Sequence, residues 1–96
     1  MKPIRKLIRA DGTETELHGP HALADVRQMI GADTLDTVRM ADRRHVMLLD
    51  DDGHAKGLPV NEAATRRYQD VCIPGTTWQI RGDVVIVPDS DYAREA

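Results

Sequence analysis

The chain is short of the residues on which most site chemistry is built. It has no phenylalanine, and its aromatic rings are Trp78, Tyr68 and Tyr92. Its core must therefore come from valine, isoleucine, leucine and methionine, which leaves self-association open as a further source of stability. Cys72 is the single cysteine, so an internal disulfide and a multi-cysteine metal site are excluded, and a reducing cytoplasm is the expected compartment. Ser90 is the single serine and sits near the end, which removes serine nucleophile chemistry. No apolar run approaches the ~18 residues of a membrane span, and the start, Met1-Lys2-Pro3-Ile4-Arg5, has no signal-peptide core. No phosphate-cradling glycine loop, dinucleotide fingerprint or serine elbow is present.

What is present describes one small globular domain. The 96 residues are 41% hydrophobic and 30% charged, and a chain of this size buries roughly two-thirds of its unfolded surface. The net charge of −3 argues against a general nucleic-acid binder, which carries a positive field.

Residues 4–18 read as a β-hairpin turning at Asp11-Gly12, a two-residue turn signal. That turn sets Arg9 opposite Glu14, Leu7 opposite Glu16 and Arg5 opposite His18. Residues 20–30 read as an amphipathic helix, with Pro20 at its first position, Leu23, Val26 and Ile30 as the apolar stripe, Ala22 and Met29 widening it, and Gly31 ending it. Residues 34–50 read as two strands. Val46, Met47, Leu48 and Leu49 are consecutive, as in a strand covered on both faces. Asp50-Asp51-Asp52-Gly53 reads as a turn, and Asn61 as the cap of a short helix reaching about Asp70. Trp78 to Arg81 is expected to be extended, and Val84 to Val87 is a strand ended by Pro88. The order is ββαββαβ, an α+β domain over 1–88 with a mixed or mostly antiparallel sheet, helices on one face, a possible β-grasp-like arrangement, and a flexible tail over 89–96.

Candidate chemistry fails specific templates. A calcium loop with Gly53 in its sixth position would put Leu48 first and Pro59 twelfth, neither a usable ligand. His18 and His21 are separated by Gly19-Pro20, and His45 and His54 flank a turn at unequal distances, so no converging zinc set is visible. Cys72 between Val71 and Ile73 reads as a buried, inert thiol. No nucleophile–base pair emerges, and neither an enzymatic role nor a cofactor or metal is expected. Lys2, Arg5, Lys6 and Arg9 form a basic run that the hairpin partly neutralises through Glu14 and Glu16. Arg39, Arg43 and Arg44, with Arg66 and Arg67, are a second supply of charge for an acidic partner or a phosphate. Trp78 is either the largest core residue or an exposed anchor, and the core is the expected place for it.

The stretch Leu49-Asp50-Asp51-Asp52-Gly53-His54-Ala55-Lys56-Gly57-Leu58-Pro59-Val60-Asn61-Glu62-Ala63-Ala64-Thr65, with Ile80-Arg81-Gly82-Asp83-Val84-Val85-Ile86-Val87 downstream, resembles the domain-of-unknown-function family 3846. The likeness covers most of residues 4–88. It brings no catalytic residues. It implies an accessory protein of a phage, plasmid or other mobile element, with a host or defence protein as partner. The expected function is a non-catalytic binding module using Trp78, Arg39, Arg43, Arg44, Arg66 or Arg67. The competing readings are a small-ligand or nucleotide binder at those arginines, and a weak DNA- or RNA-binding protein.

Overall fold

The computed structural model describes residues 4–72 and 78–91. Its elements are β1 (Lys6–Ile8), β2 (Glu14–Glu16), α1 (Leu23–Ile30), β3 (Leu35–Arg39), β4 (His45–Asp50), α2 (Glu62–Gln69) and β5 (Val84–Pro88), then a 3-10 turn over Asp89–Asp91. The strands form one sheet in the order β2-β1-β5-β4-β3, with every neighbouring pair antiparallel. The α+β class and the expected element order stand.

The helices do not share a face. Leu7, Val46, Leu48, Val85 and Val87 pack with Val26, Ile30 and Ala32 at α1. The alternate residues Ile8, Met47, Leu49, Val84 and Ile86 pack with Ala64 of α2 and with Ile80. The reason lies in β4 and β5, whose residues are buried without exception. Strand side chains alternate between faces, so a helix on one face alone would leave Met47, Leu49, Val84 and Ile86 in water. A helix on each face also departs from a β-grasp, in which the sheet wraps one.

The hairpin is shifted by one residue from its expected register. Lys6 lies opposite Glu16, Leu7 opposite Thr15 and Ile8 opposite Glu14. Arg9 N–H donates to Thr13 O at 2.9 Å, so the loop is the three residues Ala10-Asp11-Gly12. Asp11 Oδ1 accepts from both Thr13 N–H (2.9 Å) and the Thr13 hydroxyl (2.7 Å), which stabilises this longer loop over the two-residue turn. Strand alternation sends Leu7 and Ile8 to opposite cores.

α1 begins at Leu23, three residues beyond Pro20, and Ala22 is exposed. It ends as expected at Gly31, φ 68°, where Ala32 N–H reaches Arg27 O at 2.8 Å and Gly31 N–H reaches Gln28 O at 3.3 Å. This paired closure accounts for the burial of Ala32 just past the helix.

α2 is fastened by Asn61, the chain's only asparagine. Its Oδ1 accepts from Ala64 N–H at 3.0 Å, the expected cap. Its Nδ2 donates to Ile8 O and to Gly82 O, both at 3.0 Å. Asn61 N–H donates to Ile80 O at 2.8 Å, while the Thr65 hydroxyl donates to Asn61 O at 2.7 Å and accepts from Ile80 N–H at 2.9 Å. Asn61 is fully buried, and one amide ties α2, β1 and the turn before β5 together. That turn needs glycine: Gly82 has φ 85°, and a Cβ there would stand 2.8 Å from Leu58 Cδ1. Residues 78–80 belong to no strand, and Arg81 makes a single bridge to Val60.

The segment expected as a tail is docked where it is described. Asp91 accepts from Arg5 Nε and Nη2, both at 2.8 Å, across β1. Residues 92–96 lie outside the described residues.

Asn61→Ala would leave Ile8 O, Gly82 O and Ala64 N–H without their partner. At about 1–3 kcal/mol for each orphaned group, less relaxation, urea unfolding should show a loss of ~3 kcal/mol. Asn61→Asp keeps the cap but aims a carboxylate at two carbonyls. It should be at least as damaging at neutral pH and recover in part when acid protonates it. A loss below about 1 kcal/mol in both variants would contradict this account.

Candidate functional site

Among the described residues, the most exposed aromatic ring lies at the end of the sheet where β4 finishes and β5 starts. Trp78 is 52% exposed rather than buried, so the core expectation is overturned. The chain enters β5 through the Ile80–Gly82 knot, which uses Ile80 as the plug and leaves Trp78 outside it. Its ring lies on that of His54, with centroids 4.0 Å apart and planes inclined by 31°. His54 Nε2–H donates to Gln79 O at 2.8 Å, which holds the imidazole against the indole. The result is a two-ring shelf whose two residues are both exposed to solvent.

The loop beneath this shelf is pinned by an ion pair. Asp50 was expected in a solvated turn, but its carboxylate is 1% exposed and takes Lys56 Nζ at 2.7 Å. Lys56 also reaches Gly31 O at 3.3 Å, at the negative end of α1. The bond to Asp50, against some desolvation, raises the Lys56 ammonium above its ordinary value. Asp51 and Asp52 are exposed, as the turn reading required.

The arginines do not converge. Arg39 shares the α1 face of the sheet with its neighbour Val46, and its Nη1 donates to Asp89 Oδ2 at 3.1 Å and to Arg43 O at 3.2 Å. Arg43 and Arg44 are exposed in the β3–β4 turn, where Arg43 has φ 59°. Arg66 and Arg67 lie on α2, over the opposite face. Arg66 borders a groove of about 330 Å³ that also holds Asp11, Glu14 and Glu62. Arg67, expected to face outward, is half-buried beside a cleft of about 240 Å³ with Ile4, Lys6, Met40, Asp42 and His45. Of the basic hairpin run, Arg5 is neutralised by Asp91, and Lys6 by Glu14 at 3.1 Å, the carboxylate expected opposite Arg9; Lys2 lies outside the described residues. Arg9 instead hydrogen-bonds the Thr15 hydroxyl at 2.7 Å.

Sequence reasoning passed over the buried imidazole of His45. His45 is 6% exposed, with Nδ1 2.6 Å from Asp42 Oδ2 and Nε2 accepting from Ile4 N–H at 3.0 Å. The spacing Asp42-x-x-His45 across a tight turn was its only local signal. The Arg44 N–H, with the imidazole and backbone N–H of His45, lowers the Asp42 carboxyl to about 2. Cys72, expected buried, is half-buried. The neighbouring Cys72 thiol, with burial, raises the Tyr68 phenol above its ordinary value. Among the described residues, no three His, Cys, Asp or Glu side chains are grouped to hold a metal ion, and no helix is long and apolar enough to cross a membrane.

Two outcomes follow. Trp78 is the only indole, so the protein's fluorescence should be red-shifted and readily quenched by acrylamide, and His54→Ala should change its intensity while far-ultraviolet circular dichroism stays constant. A blue-shifted, protected emission would contradict the shelf. Asp42 has a folded value of about 2 against an ordinary 3.8. Its contribution is therefore present above the unfolded value and is lost as pH falls through the folded one. Urea midpoints measured between these two values should fall less steeply with acid in Asp42→Asn than in the wild type, and parallel slopes would refute the assignment.

No curated protein and no solved structure matches the chain. The pattern of the family described as domain of unknown function DUF3846 matches residues 4–94. That match spans nearly the whole sequence, from the residue that meets His45 to beyond Asp91, and the chain belongs to the DUF3846 family.

Proposed function

We propose that this domain is a non-catalytic binding module, an accessory protein of a phage, plasmid or related mobile element, and that it engages a host or defence protein through the Trp78–His54 shelf. The observation that carries the reading is the placement of the chain's single tryptophan. A domain with so few rings gains most by burying its largest one, yet Trp78 is exposed and braced by His54. Tryptophan is the residue type most enriched where binding energy concentrates.

The remaining polar groups support a role in recognition over one in chemistry. The Asp42–His45 pair resembles a base and its orienting carboxylate, but the outer imidazole nitrogen is occupied by Ile4 N–H and the ring is buried. The arginines are spread over two faces and the intervening turn, an arrangement that does not enclose one small anion. A protein partner in the cytoplasm fits both features.

The test is affinity capture from host cells with wild-type protein and with Trp78→Ala. Wild type should retain a partner in a stable complex. The variant should bind it about thirty-fold more weakly, the loss expected for a hot spot of ~2 kcal/mol. Equal retention by both proteins, or no retained partner from any relevant host, would overturn the proposal.

A further inference from the structure

We propose that His45 is a pH-sensitive latch, which holds Ile4, just ahead of β1, against the sheet at neutral pH and releases it when the imidazole takes up a proton. The geometry dictates the protonation state. Ile4 N–H is a donor, so Nε2, 3.0 Å away, must present its lone pair. The single ring proton of neutral His45 then sits on Nδ1 and is donated to Asp42 Oδ2 at 2.6 Å. Both nitrogens are committed, and the ring is held inside the protein at the first residue of β4.

Protonation adds a hydrogen at Nε2. Two N–H groups then point at each other across a hydrogen-bond distance. The imidazolium keeps its carboxylate partner, since Asp42 remains ionised throughout the range in which histidine changes charge. Ile4 N–H is therefore the contact that gives way. The charged groups around the ring are Asp42 from the turn, Lys6 from β1, Arg67 from α2, and Arg44, its neighbour in sequence; β5 presents Pro88 beside it.

The consequence reaches the cleft over Met40, Ile86 and Arg67, because Ile4 forms one of its walls. Release of Ile4 widens the cleft and exposes its apolar floor. Arg5 keeps its grip on Asp91, so among the described residues the opening is confined to Ile4.

The test is a pH titration of the folded protein by nitrogen-15 NMR, reading the two His45 nitrogens and the amide exchange protection of Ile4, with Ile8 as the reference. At neutral pH, Nδ1 should carry the proton and Nε2 should be bare. As His45 protonates, Ile4 protection, corrected for intrinsic exchange, should fall at least ten-fold while that of Ile8 holds. His45→Phe, which fills the space without an acceptor, should leave Ile4 unprotected at every pH. A proton on Nε2 at neutral pH, unchanged Ile4 protection through the titration, or no titration of His45 before the whole protein unfolds would each overturn the latch. The wild-type data decide the question even where the variant fails to fold.

Discussion

The buried side-chain amide of Asn61 is the constraint on which the arrangement of this domain depends. The two apolar clusters supply most of the driving force, but aliphatic packing is non-directional and tolerates sliding. Asn61 is directional. It fixes where α2 starts, how far β1 runs before the hairpin, and where the chain turns into β5, because its three side-chain bonds end on Ala64, Ile8 and Gly82. A primary amide offers two donors and an acceptor in one plane, which neither aspartate nor serine can reproduce.

With the centre fixed, the periphery is held by two ion pairs, one spanning 86 residues and one closing a six-residue loop. Arg5 and Asp91 join the two ends of the described chain, and Lys56 and Asp50 fold the loop after β4 against α1. Each has one well-buried carboxylate, where removal of the cation would strand a charge. This division leaves the surface proposed for binding outside the core. Trp78 stands beside the Asn61 knot and outside it, so a partner can use the indole without loosening the fold.

The parts legible in the sequence were those written locally. The apolar stripe of α1, its stop at Gly31, the cap at Asn61 and the buried run of β4 are decided by residues within a few positions of one another, and the structure has them. The hairpin slipped by one residue because Asp11 bonds Thr13 and stabilises the longer loop, a choice that an Asp-Gly pair leaves open. The second helix-covered face was implicit in the unbroken apolar runs of β4 and β5, yet the order of elements alone does not say which side each helix takes. The Asn61 bonds to Ile8 and Gly82 span 53 and 21 residues, and the His45 bond to Ile4 spans 41, distances at which no spacing rule operates. Trp78 was misplaced because residue size favours burial, whereas the plug of this small core is Ile80.

The claim that Asn61 organises the domain is tested most directly by hydrogen–deuterium exchange of its own side-chain amide, followed by NMR. As a permanent internal bridge, its Nδ2 protons should exchange only when the whole domain unfolds, on the timescale of the Val85 and Ile86 amides in β5. Exchange as fast as that of the exposed Gln28 side chain would contradict the account.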